Sequence, residues 1–409
     1  MVDDSSNLRY NVSGITKQCQ LLCIINMVSD IKTILKPILS NSPAFSAAGK
    51  AMGELITAGC IGTVCVETEY LTSTMVQNLS KTTFSILLPM FLFTSITRSI
   101  QKFGLTGNSL LIPLLAIAHA FTQCMISKYI LMPIFGLDGD TDENRATVIS
   151  STFGNAGVVP LIFAEALFRN DDTSLIAKAH SYISLYLLGW SPFFWSFGKR
   201  VLVSRPNTSQ VSRKQSFANM KSLIPPPVAG VIVGIIISLF PSLRNVFMNT
   251  PEHRAPLNVV FNSIENFGKA ANPSSLLVLT ASLALGTSST STTDSVSLEE
   301  DGDANFMRRY LCVSIARFIV SPLLMYCMLK TLNKLGIMES SKTNPMLWFI
   351  LLLQSSMPSA QNSVLMLQAA EKGGAATRLA KFLFSIYATS MVPLVFLSTI
   401  LLDKFQMMT

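Results

Sequence analysis

A chain of 409 residues that is 49% hydrophobic and only 13% charged, with a positive mean hydropathy, has the composition of a polytopic membrane protein, because soluble domains carry about 25% charged residues. Its formal charge of +8 fits loop lysines and arginines beside anionic lipid and argues against a nucleic-acid partner. Cys60, Cys65, Cys124, Cys312 and Cys327 fall in apolar stretches, where a free thiol behaves as a small hydrophobe. No CxxC occurs, and His119, His180 and His253 form no metal motif, so neither a metal, a cofactor nor a disulfide framework is expected.

Residues 1–45 begin with acids and lack a small-residue cleavage site, so no removable signal peptide is expected. They form an N-terminal extension in which Ile15, Cys19, Leu22, Val28, Ile31, Leu35 and Ile38 recur at roughly helical spacing. An interfacial helix with Lys17, Lys32 and Lys36 toward headgroups and a poorly ordered tail both fit this pattern.

A first group of five spans occupies 46–198. The first, 47–66, carries Lys50 and Glu54 four residues apart, a spacing that softens the insertion cost of both. The second, near 83–97, has Pro89 at mid-span, and the third, 109–135, holds His119 and Lys128. The fourth, RATVISSTFGNAGVVPLIFAEALFR over 145–169, is long enough to cross a bilayer yet breaks itself in the middle. Gly154 and Gly157 cost roughly 1 kcal/mol each and Pro160 about 3 kcal/mol in a helix interior, and Asn155 adds a polar amide. In hydrocarbon every freed backbone group needs a partner, so such backbone survives only inside protein or beside a water-filled cavity. Residues 154–160 are therefore a candidate binding site. In the fifth span, 176–197, Trp190 and Trp195 fit an interfacial aromatic belt. The loop that follows, 199–222, has six Lys or Arg and no acid, which places it in the cytoplasm by the positive-inside rule.

The second group, 223–402, repeats the layout: 223–240, a span near 259–285 containing Pro273, 310–335 interrupted by Pro322, a second broken segment over 344–370 centred on Pro358, and 379–402, followed by a tail at 403–409. A Ser/Thr-rich acidic stretch at 287–305 reads as a disordered connection, either a plain solvated linker or a phosphorylation target. Pro89 and Pro273 sit in the second span of each half, and Pro160 and Pro358 in the fourth. An odd number of spans per half inverts the second repeat. The expected fold is all-α, with about ten transmembrane helices in two inverted five-helix repeats. Both termini then lie outside or in a lumen. Paired interrupted spans are a pointer to the site of a secondary transporter.

The runs STFGNAGVVPLIFAEALF, LIPPPVAGVIVGIIISLFP, ANPSSLLVLTASLALG and SSMPSAQNSVLMLQ resemble the auxin efflux carrier family, in order, from residue 47 onward. The short central loop is similar to that of the PIN-like carriers of the endoplasmic reticulum rather than the long-loop plasma-membrane members. The resemblance implies a scaffold of spans one, two, six and seven, a moving domain of the rest, fourth and ninth helices that cross at their breaks, and elevator-type transport of an organic anion. By matching position Asn155 and Pro160 stand for the first crossover, and Pro358 and Asn362 for the second; Gly154, Gly157 and Gln361 beside them complete the substrate-binding candidates. Pro89, Pro273, Arg317 and Gln354 are secondary candidates. The chain departs from the family in its extension and in Val158 and Val159, where relatives often carry Asn-Leu.

Two half-helix N-termini near mid-membrane offer unpaired N–H groups and about half a positive charge each, which suits a carboxylate. Asn155 and Asn362 either bind the substrate or satisfy freed backbone. No acid sits at either break, and Glu165 reads as peripheral, so no coupling ion is evident. Arg317 either attracts an anion or snorkels. The expected substrate is a small organic anion such as an indole carboxylate. A dicarboxylate carrier and a ligand-sensing module that does not transport are the alternatives, and no enzyme motif lies in a span. A homodimer is allowed by the sequence.

Overall fold

The computed structural model describes residues 43–103, 107–168, 173–203, 225–249, 254–288 and 303–405. The amphipathic extension, the Glu54 side chain, most of the basic loop, and most of the acidic Ser/Thr-rich stretch lie outside the described residues. Among the described residues the regular elements are helices, joined by one isolated antiparallel bridge between Gly154 and Ser359.

In chain order these are α1 (Pro43–Glu67), α2 (Ser73–Thr82, a π-helical turn Thr83–Leu87, then Leu88–Phe103) and α3 (Gly107–Ile126, a π turn Ser127–Leu131, then Met132–Ile134). The first broken pair is α4 (Asp142–Thr152) and α5 (Val158–Leu167). Next come α6 (Thr173–Phe193, a π turn Phe194–Gly198, then Lys199–Val203), α7 (Pro226–Leu239), α8 (Pro241–Phe247), α9 (Asn258–Lys269) and α10 (Ala271–Ser288). α11 comprises Asp303–Ile315, a π turn Ala316–Val320 and Ser321–Lys334. The second broken pair is α12 (Pro345–Ser355) and α13 (Asn362–Ala369), and α14 (Gly373–Lys404) closes the chain. By length and composition alone, α2, α3, α11 and α14 can each cross a membrane, and the pair α7 and α8, bent by 109°, makes a fifth candidate.

Prolines explain where the helices deform. Three of the π turns end two residues before a proline, at Pro89, Pro133 and Pro322. Proline lacks the N–H that would close the ladder and its ring crowds the carbonyl four residues back. Widening the turn absorbs both effects, with the Leu88 N–H reaching Thr83 O and the Ser321 N–H reaching Ala316 O. At Pro273 the outcome differs from the single span expected at 259–285. The helix divides into α9 and α10 at Ala270, whose N–H turns back to Phe267 O at 3.1 Å. Helix also runs past the expected end of the fifth span, so Lys199 and Arg200 are helical rather than part of the loop.

Close packing uses glycine where two backbones meet. A Cβ on Gly230 of α7 would lie 2.3 Å from Pro89 O of α2, and one on Gly234 would lie 2.9 Å from Phe93 O. This GxxxG spacing lets α7 lie directly on α2. The core follows the broken helices. Every residue of α12 from Met346 to Ser355 is buried, as are Asn144, Arg145 and 147–152 of α4. The aromatic-belt reading of Trp190 and Trp195 is overturned, because both are buried. Trp190 stacks on Phe194 at 4.5 Å between ring centroids, and Phe194 meets Trp195 edge-on at 4.9 Å. Residue type and position near a span end do not distinguish a ring facing headgroups from one facing a neighbouring helix.

Candidate substrate site at two broken helices

Both broken spans leave their first helix for a non-helical stretch, α4 directly and α12 after one more residue in the helical region. α4 ends at Thr152 and the chain passes through extended Phe153; α12 ends at Ser355 and passes through Ser356 and Met357 to Pro358. The two extended stretches run antiparallel and satisfy one another. The Asn155 N–H donates to Pro358 O at 2.6 Å, and the Ala360 N–H donates to Phe153 O at 2.9 Å. Backbone freed by Gly154, Pro160 and Pro358 thus finds its partner in the other break, all of it buried from Phe153 to Ala156 and from Met357 to Gln361.

Side chains complete the junction. The Asn155 carboxamide donates through Nδ2 to Tyr387 Oη at 2.9 Å, and its Oδ1 accepts from the Gly157 N–H at 3.3 Å. Tyr387, on α14, passes its own proton to Ser359 O at 2.9 Å. Gln354 donates to Ala156 O at 3.1 Å, and the Ser359 hydroxyl to Ser150 O at 2.8 Å. Asn362 is different, since its Oδ1 is buried without a partner. Its amide ends interchange by a half-turn, so Asn362 offers a free donor or a free acceptor.

Beside the junction lies a small cleft, open at its mouth; the roughly 450 Å³ of space between its walls includes the solvent outside. Asn155, Ala156, Gly157, Ala360, Gln361 and Asn362 form one wall. Leu88, Phe91 and Leu92 of α2, Asn272 of α10, and Leu187, Trp190, Ser191 and Trp195 of α6 form the others. Gly157 and Gln361 are the caps that open α5 and α13, so both helices start from this wall. In α13 the Ser363 and Val364 N–H groups already donate to Ala360 O and Gln361 O, and in α5 Pro160 has no N–H. That leaves Val158, Val159 and Asn362 as the first-turn donors without an intrahelical partner. Among the described residues no lysine, arginine, aspartate or glutamate lines it. The arrangement offers a small guest partial positive charge at one end and aromatic surface at the other.

The sequence-derived candidates separate accordingly. Asn155, Gly157, Gln361 and Asn362 line the cavity, whereas Gly154, Pro160, Pro358, Gln354, Pro89 and Pro273 do not. A Cβ on Gly154 would fall 2.0 Å from Arg317 Nη2, so glycine there admits the guanidinium. Arg317 neither snorkels nor reaches the cavity; it is fully buried behind the junction. Phe91 and Tyr387 carry no sequence signal, being an ordinary Phe and Tyr in apolar helices; Asn272 had one, its place beside Pro273 in an apolar span. Trp190 and Trp195 had a signal that pointed to lipid. Glu165 is half-exposed, 3.4 Å from His180. Among the described residues no group of His, Cys, Asp and Glu could hold a metal ion.

Long apolar helices, two interrupted helices that meet at their breaks and a small cavity at that meeting point are features of a membrane carrier. The chain belongs to the auxin efflux carrier family: that family's model, described as membrane transport protein, matches residues 48–398. It is similar to Protein PIN-LIKES 2 of Arabidopsis thaliana, with 31% identity over 141 residues, covering 34% of this chain and 27% of the relative. The chain is an integral membrane protein.

Proposed function

We propose that this protein is a secondary transporter of a small organic anion, of the indole carboxylate class, working by elevator-type alternating access without a coupling ion. The observation that carries the proposal is the cavity itself, in which two helix N-termini and the unpartnered Asn362 face an aromatic wall of Phe91, Trp190 and Trp195. The carboxylate is held by the first-turn N–H groups of Val158, Val159 and Asn362 and by the Asn362 side chain, and the ring lies against the tryptophans. Asn155 keeps the junction in shape.

In this reading the helices form a ten-span inverted repeat. α1, α2, α7 and the pair α9 and α10 make the scaffold, and the rest moves against it. The glycine-mediated contact of α7 on α2 supports a rigid scaffold. The short central loop, like that of the PIN-like carriers, supports the endoplasmic reticulum membrane over the plasma membrane. Where a membrane potential exists the substrate's own charge drives net movement, worth about 2.3 kcal/mol per unit charge per 100 mV; in an internal membrane with little potential the same protein equilibrates the anion.

Purified protein in sealed liposomes tests this with radiolabelled indole-3-acetate, malonate and an uncharged indole. Saturable uptake of the indole carboxylate, driven by an imposed potential and not by a proton gradient alone, is the expected result. Binding without flux would identify a sensor, and preference for malonate a dicarboxylate carrier; either outcome refutes the proposal.

A further inference from the structure

Behind the junction, on the side away from the cavity, the last turns of α4 and α12 converge on Arg317. Its Nε donates to Met357 O at 3.0 Å and its Nη2 to the same oxygen at 2.8 Å. Nη2 also reaches Ser355 O at 2.9 Å, while Nη1 reaches Thr152 O and Ser321 Oγ, each at 3.3 Å. A guanidinium has five N–H donors, and these are five bonds, so none remains for a guest. None of the ion pairs among the described residues involves Arg317. Its counter-charge is the partial negative end of two helices, carried by carbonyls that have no intrahelical partner.

Three carbonyl oxygens and a hydroxyl around one positive charge are the coordination shell of a metal cation. Helix C-terminal ends and unwound carbonyls coordinate the driving Na⁺ or H⁺ in carriers with discontinuous helices. Here that shell is filled by a side chain. Ser321 strengthens it by donating to Ser355 O at 2.7 Å, and His119 Nε2 donates to Ser321 O at 3.1 Å. Gly154 leaves the space the guanidinium occupies.

We propose that Arg317 is a resident cation standing in the place of a coupling ion, so that the junction forms, and binds its guest, without any cation from solution. The part concerning the guest rests on the transport reading above; the part concerning the junction does not. Removing the guanidinium leaves Thr152 O, Ser355 O, Met357 O and Ser321 Oγ as an empty site for a small monovalent cation.

The test is thermal melting of the purified full chain in detergent, in NaCl, LiCl, KCl or choline chloride at equal ionic strength. Wild type is expected to melt at the same temperature in all four. Arg317→Ser is expected to melt lower in choline and to recover by at least ~3 °C, saturably, in Na⁺ or Li⁺. Arg317→Lys, which keeps a tethered charge, is expected to be indifferent to the salt. Stabilisation of wild type by Na⁺, or a folded Arg317→Ser that ignores every cation, overturns the proposal. If Arg317→Ser folds in no salt, the Lys variant decides: indifference supports the proposal and stabilisation by Na⁺ refutes it. Melting needs no substrate, so absent flux in liposomes would sink the transport reading and leave this result standing.

Discussion

Asn155 and Asn362 look equivalent in the sequence, one at each break, yet their surroundings give them different work. Asn155 has both ends of its carboxamide engaged, by Tyr387 and by the Gly157 N–H, whereas the Asn362 oxygen has no protein partner. Asn362→Ala therefore removes no internal bond. Its melting temperature should match wild type, while indole-3-acetate affinity measured by calorimetry falls about tenfold, the loss of one hydrogen bond to a charged group. Tyr387→Phe is the converse case. It strips the hydroxyl joining Asn155 to Ser359 O and leaves buried polar groups unpaired, which costs about 1–3 kcal/mol; a denaturation curve should show that loss. Restoration of wild-type stability by a phenylalanine would mean that Tyr387 does not hold the junction. The importance of Asn155 and Asn362 was legible because an amide beside a proline break in an apolar span stands out. Tyr387 was not, since nothing in the sequence tells which face of a final apolar helix turns toward a break more than two hundred residues earlier.

Between residues and the whole, the helices divide by how they meet. The approach of α7 to α2 depends on hydrogen in place of side chains at Gly230 and Gly234. Gly230→Leu drives a side chain into Pro89 O and forces α7 outward. Overpacking of this kind costs typically 1–3 kcal/mol, and size-exclusion profiles of a fluorescent fusion should show loss of the monodisperse peak. Gly53→Leu, on an open face of α1 with nothing within 4 Å, is the control expected to leave the profile unchanged. The broken spans were readable as elements because Gly and Pro have the same backbone consequences in any fold. The π turns were readable only in part. Pro89 and Pro322 marked interruptions, but whether a helix answers a proline by widening, as in α2, or by dividing, as between α9 and α10, depends on what the neighbouring helices support.

Across the molecule, ion pairs tie distant segments together at the helix ends. Asp142, opening α4, bonds Arg145, and Lys372 before α14 reaches it at 3.3 Å. Burial pushes the Asp142 carboxyl up, but the bonds and charges of Arg145 and Lys372 outweigh this and hold it below its usual range. Its folded value lies below the unfolded one, so the pairing contributes stability above about pH 4 and loses it as pH falls through the folded value. Thermal melting should decline on acidification below about pH 4, and less steeply in Asp142→Asn. A pH-independent difference between the two proteins would show that the carboxylate is not what matters. Lys81 of α2 and Glu371 between α13 and α14 pair at 2.5 Å across the two groups of helices that the elevator reading separates. The Lys81 ammonium, by hydrogen bond and then by charge, holds Glu371 below its usual range. An exposed pair of this kind contributes little, because solvent screens it and ordering two long side chains offsets the attraction. Lys81→Ala should therefore change the flux rate in liposomes less than about fivefold, and the effect should vanish in 0.5 M salt.

Composition and backbone chemistry determined, from the sequence alone, that the chain enters a bilayer, that the spans around Pro160 and Pro358 break, and which family it resembles. These follow because transfer of apolar side chains and the cost of Gly and Pro are properties of residues themselves. Only the tertiary structure decided that Trp190 and Trp195 face a cavity instead of headgroups, that Arg317 is consumed by carbonyls, and that Asn362 and not Asn155 has a free end. Each of those is a statement about what lies opposite a side chain, and the partner comes from a helix whose rotation and depth are fixed by packing.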